Sequence, residues 1–139
     1  MTTQAITSQG VELQVGNGAS PEVFTAVCDI TSIDGPSQTA DPLEASSLCS
    51  TSKEFIPGLR DGGDLSLGLN FAPANTSHKQ LQADLAAGTV RNYRIALSDS
   101  PATTYAFTGF VTAFGFSAST NAVLTASCTI KVTGDVEEV

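Results

Sequence analysis

Apolar and polar residues alternate along much of this chain, and the alternation limits its fold more than any other feature. It is clearest in residues 122–132, whose apolar face carries Ala122, Leu124, Ala126, Cys128, Ile130 and Val132. A repeat of two residues places successive side chains on opposite faces of a β-strand. The same repeat marks residues 11–15, 23–33, 64–71 and 89–97, and residues 104–116 carry bulky side chains on both faces. The sequence therefore predicts a mainly β domain.

A helix is predicted over about residues 76–87. Leu81 and Leu85 are four residues apart and share a face with His78. Gly88 stands where a left-handed cap ends a helix. Candidate N-terminal caps are Asn75, Thr76 and Ser77. A helix of this length is marginal alone and must dock on the sheets, which predicts a β-sandwich or barrel with one flanking α-helix.

Residues 34–63 break the alternation and predict a long inter-strand loop. Four Gly- or Pro-containing dipeptides punctuate it. Loops of this length inside a compact domain are generally functional or disordered. Its apolar residues are Leu43, Leu48, Phe55, Ile56 and Leu59. Such side chains suggest a segment that becomes ordered against a partner, although they could also pack into the loop's own domain.

Length and local composition predict a single domain flanked by a short segment at each end. The chain has 139 residues, enough for a single core. We expect a flexible N-terminal arm at residues 1–10, a β-domain at 11–134 and an acidic C-terminal tail at 135–139. The first ten residues show no basic, apolar leader, and no segment reaches the length of a membrane span. These features predict synthesis in a cytoplasm and no membrane partner.

Charge and residue content argue for assembly and against catalysis. The net charge is −8, and charged residues make up only 14% of the chain. This charge argues against binding to a specific nucleic-acid sequence, which needs a basic surface. A weakly charged surface suits a protein whose faces are covered by copies of itself, but Ser- and Thr-rich extracellular domains share it. Candidate acidic surface residues, which could line a channel, are Asp41, Glu44, Asp61 and Asp64.

No arrangement typical of an enzyme or a metal site stands out. His78 is the single histidine, and packing or surface filling is its expected role. Cys28, Cys49 and Cys128 form no CxxC pair, and Cys28 and Cys128 lie in alternating runs that predict small buried side chains. Nucleotide-binding glycine loops and nucleophile elbows are absent from the sequence. We expect no catalysis, no metal and no cofactor.

Four segments in a fixed order resemble the major tail tube proteins of long-tailed bacteriophages, particularly the lambda-like type. They are residues 76–85 (TSHKQLQADL) followed by Gly88, 91–97 (RNYRIAL), 105–111 (YAFTGFV) and 129–134 (TIKVTG). The resemblance covers residues 64–134 most clearly and extends back to residue 23. It implies a β-sandwich or barrel with a flanking helix, a fold related to the tube proteins of type VI secretion.

The resemblance also implies an assembly role in the virion tail. Six copies would form a ring around a channel, and the 34–63 segment and the N-terminal arm would bridge successive rings. The resulting tube would deliver DNA through its lumen without binding it specifically. Implied partners are the chain itself and the tape measure, tail terminator and tail-tip proteins. The chain ends five residues after Gly134, where lambda-like members can carry an extra immunoglobulin-like domain.

Two other classes of protein fit the sequence less well. One is another phage morphogenesis protein: a tail terminator, a connector or a capsid decoration protein. The other is a β-sandwich binding module without catalysis, such as an adhesin or lectin, although the chain has no tryptophan for sugar stacking.

Overall fold

The computed structural model describes residues 3–139 and has the mainly β fold with one helix that the sequence predicts. In chain order its elements are β1 (Glu12–Gly16), β2 (Phe24–Ala26), β3 (Ile30–Asp34), β4 (Thr39–Glu44), β5 (Phe55–Asp61), β6 (Asp64–Asn70), α1 (Thr76–Ala87), β7 (Val90–Ala96), β8 (Thr104–Ser117) and β9 (Thr125–Glu138). Seven strands form one antiparallel sheet in the order β2-β1-β7-β8-β9-β6-β3, and β4 pairs with β5 in a separate two-stranded sheet.

Two long strands divide the large sheet into two layers. Strand β7 pairs with β8 only as far as Phe110, and β6 pairs with β9 only as far as Lys131. Between these regions the β8–β9 ladder shifts register from Val111 to Ala113. Strands that bend at such an irregularity can pass from one layer of a sandwich to the other. One layer is therefore β2-β1-β7-β8-β9, and the other is β8-β9-β6-β3.

The short connection between β2 and β3 also shows that the large sheet folds back on itself. Strands β2 and β3 lie at opposite edges of the sheet, yet only residues 27–29 separate them. So short a connection spans at most about 14 Å, which holds the two edges close together. No ladder joins β2 to β3 in the described residues, so the fold is sandwich-like and is not a closed barrel.

The inward side chains of this sandwich form one apolar core. Its buried members are Leu13, Val15, Val27, Leu65, Leu67, Leu69, Leu81, Tyr93, Ile95, Phe107, Val111, Ala126, Cys128, Ile130 and Val132. They include most of the predicted alternating residues of 64–71, 89–97 and 122–132. The exceptions lie at the ends of those runs: Phe71, Leu97 and Leu124 are only partly buried, and Ala122, which precedes β9, is exposed. Within the core, the rings of Tyr93 and Phe107 stack with their centroids 5.6 Å apart. Cys128 is also part of the core, and its burial raises the pKa of the thiol to about 12.

Helix α1 begins and ends at the predicted residues. The side chain of Asn75 accepts a hydrogen bond from the Ser77 N–H at 2.9 Å. Gly88 has a φ of 68°, a left-handed conformation that glycine adopts without steric cost, and its N–H donates to the Asp84 carbonyl. Leu81 is buried in the core, whereas Leu85 remains partly exposed. The apolar stripe of the helix is therefore narrower than predicted.

The structure corrects four details of the sequence prediction. Residues 34–63 lie between β3 and β6 as expected, but they are not an irregular loop because they contain β4 and β5. Residues 135–138 continue β9 and are not a separate tail. The predicted strand at 23–33 is split into β2 and β3 by Asp29, whose φ is 60°. Cys28, beside that bend, is exposed.

The predicted N-terminal arm falls partly outside the described residues, which exclude positions 1 and 2. Residues 3–10 contain no strand or helix and are exposed. The Ser98 hydroxyl donates to the Thr7 carbonyl at 2.7 Å, so the arm contacts the end of β7. Its flexibility stays a prediction.

Candidate assembly surface

The β4–β5 hairpin is the part of the molecule least covered by its own fold. Leu43 pairs directly with Ile56, and Glu44 pairs with Phe55. Every residue of β4 is exposed, and so is every residue of β5 except Gly58, which is half-buried. The hairpin pairs with no other strand among the described residues. It therefore extends from the sandwich as a separate two-stranded ribbon.

Both faces of this hairpin are apolar. Leu43 and Ile56 share one face because they are directly opposed in the ladder. Phe55 and Pro57 lie on the other face. A register shift between Pro57 and Arg60 interrupts the alternation before Leu59. Leu59 is 91% exposed, and Leu48, in the turn, is completely exposed. The five apolar residues predicted to contact a partner thus belong to one hairpin, but they are distributed over two faces and a tip.

Hydrogen bonds order the tip of the hairpin. The Ser46 hydroxyl accepts from the Glu54 N–H at 2.8 Å, and the Ser50 hydroxyl donates to the Glu54 carboxylate at 2.8 Å. The Ala45 N–H also donates to the Glu54 carbonyl at 2.7 Å. Leu48 therefore projects from a hydrogen-bonded turn.

The four candidate acidic residues fall into two groups. Asp61 and Asp64 lie at the base of the hairpin, where Lys131 Nζ is 3.3 Å from one carboxylate and 3.7 Å from the other. A hydrogen bond from the Gly63 N–H, together with Lys131, lowers the pKa of Asp61. Asp41 and Glu44 lie on β4 and form no ion pair within residues 3–139. The structure thus brings Asp61 and Asp64 together and places Asp41 and Glu44 apart from them.

Ion pairs and close packing hold the base of the hairpin against the sandwich. Arg60 donates to the Asp135 carboxylate at 2.7 Å, which connects β5 to β9. Gly63 has a φ of 74°, and a Cβ atom there would collide with the carbonyl oxygen of Ser37. A side chain at this position would displace the chain entering the hairpin.

His78 has the packing role that the sequence predicts. Its ring is fully buried, and its Nδ1 accepts a hydrogen bond from the Ala72 N–H at 3.1 Å. The Nε2 atom therefore carries the hydrogen and donates to the Cys28 carbonyl at 2.7 Å. His78 thereby attaches the first turn of α1 to the bend between β2 and β3.

Sequence reasoning missed an ion pair with a buried carboxylate at the other end of α1. Asp84 is 2% exposed, and its carboxylate accepts a hydrogen bond from Arg91 Nε at 2.7 Å. That hydrogen bond raises the pKa of Arg91. The pair joins the helix to β7 across the Gly88 cap. Its only sequence signal is an acid in the last turn of the helix with a base seven residues later.

The described residues hold no cluster of three or more His, Cys, Asp or Glu side chains that could bind a metal. The groove between the N-terminal arm and β3, about 460 Å³ in volume, is lined by Ser, Thr, Val, Ile and Leu side chains. This lining contains no group that could act as an acid, a base or a charged nucleophile. In the described part of the chain, no helix has the length and apolarity needed to cross a membrane.

A family profile described as phage tail tube, lambda-like, matches residues 4–139. The chain belongs to the lambda-like phage tail tube family. Structural protein 3 of Pseudomonas phage PAJU2 is 25% identical over 150 residues, covering 94% of this chain and 91% of the relative. This membership confirms the resemblance seen in the sequence and makes the chain a structural component of the phage tail.

Solved structures similar to this tail tube protein come from gene transfer agent particles. A chain of the native gene transfer agent virion superposes with a TM-score of 0.78 at 15% identity, covering 97% of this chain and 99% of the other. A chain of the empty particle's tail, which has C6 symmetry, gives 0.73 at 15% identity and covers 91% and 95%. At such identities the likeness establishes the shared fold.

Proposed function

We propose that six copies of this tail tube protein form a ring, that the rings stack through the β4–β5 hairpin, and that the resulting tube conducts phage DNA. The observation that carries this proposal is the hairpin, which exposes apolar side chains on both of its faces. An isolated two-stranded hairpin is marginally stable in water. Contact with another copy would bury these side chains and stabilise the ribbon.

Ring formation is supported by the open edges of the large sheet. Strands β2 and β3 are its edge strands. Unpaired edges invite uncontrolled association, which a closed ring prevents by covering them. The number six is taken from the C6 symmetry of the similar gene transfer agent tail.

The charge of the chain suits a conduit for DNA. With a net charge of −8, an acidic lumen would repel phosphates and let DNA pass without sticking. We propose that Asp41, Glu44, Asp61 and Asp64 contribute to this acidic surface. Lys131 already neutralises part of the charge of Asp61 and Asp64, so Asp41 and Glu44 would contribute more strongly.

The remaining parts of the proposal concern partners and location. The tube would end at a tail terminator, begin at a tail-tip complex and enclose a tape measure protein. The chain would be made in the host bacterial cytoplasm and would catalyse no reaction. The lining of the groove beside β3, which lacks an acid, a base and a charged nucleophile, supports this last point.

The test is negative-stain electron microscopy of the purified protein over a series of concentrations. Stacked rings of uniform diameter are expected above a threshold concentration. Isolated rings that never stack would favour a tail terminator or connector, and a stable monomer with no polymer would favour a binding module.

Removing the hairpin tests its role directly. We expect replacement of residues 40–60 by a short Gly-Ser linker to abolish tubes, because the exposed apolar side chains are lost with it. Circular dichroism should show that the variant is still folded, since the hairpin contributes no residue to the core. Tubes formed by this variant would exclude the hairpin as the stacking element.

A further inference from the structure

The hairpin and a second exposed apolar surface lie at opposite ends of the molecule. Strand β6 starts at Asp64, beside the base of the hairpin, and ends at Asn70, which pairs with Thr125 at the start of β9. Seven residues of strand span about 20 Å. The turn between β8 and β9, residues 118–124, therefore lies at the end of the sandwich away from the hairpin.

Five residues at that far end form what we call the distal apolar patch: Phe71, Phe114, Phe116, Val123 and Leu124. The Phe71 ring lies 5.6 Å from the Phe114 ring and 5.7 Å from the Phe116 ring. The Phe71 N–H donates to the Leu124 carbonyl at 2.8 Å, which fixes the turn beside these rings. Phe116 and Val123 are each 66% exposed. The patch is thus an apolar surface that is held in place by ring packing and a backbone hydrogen bond and is partly open to solvent.

Four of the five patch residues lie in a part of the chain without charge. Residues 100–130 contain no Asp, Glu, Lys, Arg or His, although charged residues make up 14% of the sequence. The hairpin is acidic, with Asp41, Glu44, Glu54 and Asp61 against Lys53 and Arg60. Copies of a chain with net charge −8 repel one another over most of their surfaces. An acidic hairpin meets less repulsion against this segment than elsewhere, and the one acid shown beside it is Asp29, whose carbonyl accepts a hydrogen bond from the Asn70 N–H.

The positions of the two surfaces also determine the kind of association they allow. They consist of different residues, so contact between them is head-to-tail. Head-to-tail contacts do not close on themselves unless a rotation brings the ends together, and they otherwise propagate as open stacks. Contact between two identical patches would instead end at a pair.

We propose that the distal apolar patch of one copy is the acceptor for the β4–β5 hairpin of a copy in the next ring. This inference rests on the proposed stacking of rings and adds the partner surface to it. Phe55 and Pro57 supply an apolar face for the patch, and Leu59 adds an exposed apolar side chain beside the register shift in the same strand. The acids of the hairpin remain at the margin of the contact.

Single substitutions in the patch test the acceptor. We expect Val123→Ser and Phe116→Ser each to raise the protein concentration needed for tube formation at least tenfold in electron microscopy and sedimentation. Val90→Ser is the matched control, because Val90 is 56% exposed and lies at the start of β7, outside the patch. It should assemble as the wild type does. Equal loss of tubes in Val90→Ser and Val123→Ser would overturn the proposal.

Loss of folding must be separated from loss of contact. Phe116 packs on Phe71, so its replacement can affect stability, whereas Val123 belongs to no strand. Thermal unfolding followed by circular dichroism should give the same midpoint for Val123→Ser and the wild type. Tube formation by folded Val123→Ser and Phe116→Ser at the wild-type threshold would overturn the acceptor and leave hairpin stacking intact. Failure of the wild type to form tubes would overturn the stacking proposal itself.

A mixing experiment tests the head-to-tail geometry. A donor-deficient variant, Phe55→Ser with Leu59→Ser, retains the patch, and an acceptor-deficient variant, Phe116→Ser with Val123→Ser, retains the hairpin. Neither should stack alone. Mixed together they should form one contact between the intact hairpin and the intact patch, which native mass spectrometry would detect as a species of twice the unmixed mass. Folded variants that do not associate on mixing would contradict the pairing.

Discussion

At the scale of single residues, polar groups hold α1 in place more than its apolar stripe does. His78 joins the start of the helix to the Cys28 carbonyl, and Asp84 joins its end to Arg91. Leu81 alone adds a fully buried aliphatic side chain from the helix. Because His78 and Asp84 are themselves buried, removing the partner of either one leaves a buried polar group unsatisfied.

The Asp84–Arg91 pair allows a prediction about stability. Arg91→Met should lower the free energy of unfolding by about 3 kcal/mol, because it leaves the Asp84 carboxylate buried without its cation. Arg60→Met is the matched control, since both members of the Arg60–Asp135 pair are well exposed. It should cost less than about 1 kcal/mol. Urea unfolding measures both, and equal losses would show that Asp84 is not buried as described.

At the scale of the elements, the hairpin depends on its base as well as on its own ladder. Side chains on both of its faces contact solvent. Its direction is set where it leaves the sandwich, by the Arg60–Asp135 contact and by the close approach of Gly63 to Ser37. A precise direction is needed if the hairpin is to reach a surface on another copy.

Gly63, at the base of the hairpin, and Gly18, elsewhere in the chain, have nearly the same φ. Comparing alanine substitutions at the two positions distinguishes the cost of backbone strain from the cost of a steric collision. Gly63→Ala places a methyl group against the Ser37 carbonyl, whereas Gly18→Ala, at a φ of 75°, meets nothing within 4 Å. Gly18→Ala should cost about 1 kcal/mol for its left-handed backbone. Gly63→Ala should cost more and should also raise the concentration needed for tubes. Equal effects in urea unfolding and sedimentation would mean that the base does not position the hairpin.

At the scale of the whole molecule, apolar attraction between the two ends opposes charge repulsion between copies. A net charge of −8 keeps separate copies apart. The exposed apolar residues of the hairpin and the distal apolar patch supply attraction that does not depend on charge. Assembly therefore depends on how strongly the repulsion is screened.

Salt should consequently promote assembly. Raising the salt concentration from about 0.1 M to about 1 M shortens the Debye length from about 10 Å to about 3 Å. The threshold for tube formation, measured by sedimentation, should fall over this range because repulsion weakens while apolar contacts persist. Potassium chloride should act as sodium chloride does. A threshold that rises with salt would instead indicate that attractive ion pairs between copies dominate the interface.

The sequence by itself determined the elements whose pattern is local. A period of two placed Leu65, Leu67 and Leu69 in the core, because alternation along a strand needs no knowledge of its partner. The cap residues Asn75 and Gly88 marked the ends of α1 for the same reason. The ordered segments from residue 76 to residue 134 identified the family.

Tertiary structure decided everything that depends on which segments meet. Residues 34–63 lack strand periodicity because both faces of the hairpin are exposed, so no apolar–polar alternation distinguishes them. Cys28 resembles a core residue in sequence, yet the bend at Asp29 turns it to solvent. Contacts between different elements pair Asp84 with Arg91 and place Phe116 at the end of the sandwich away from the hairpin. No local sequence pattern records such contacts.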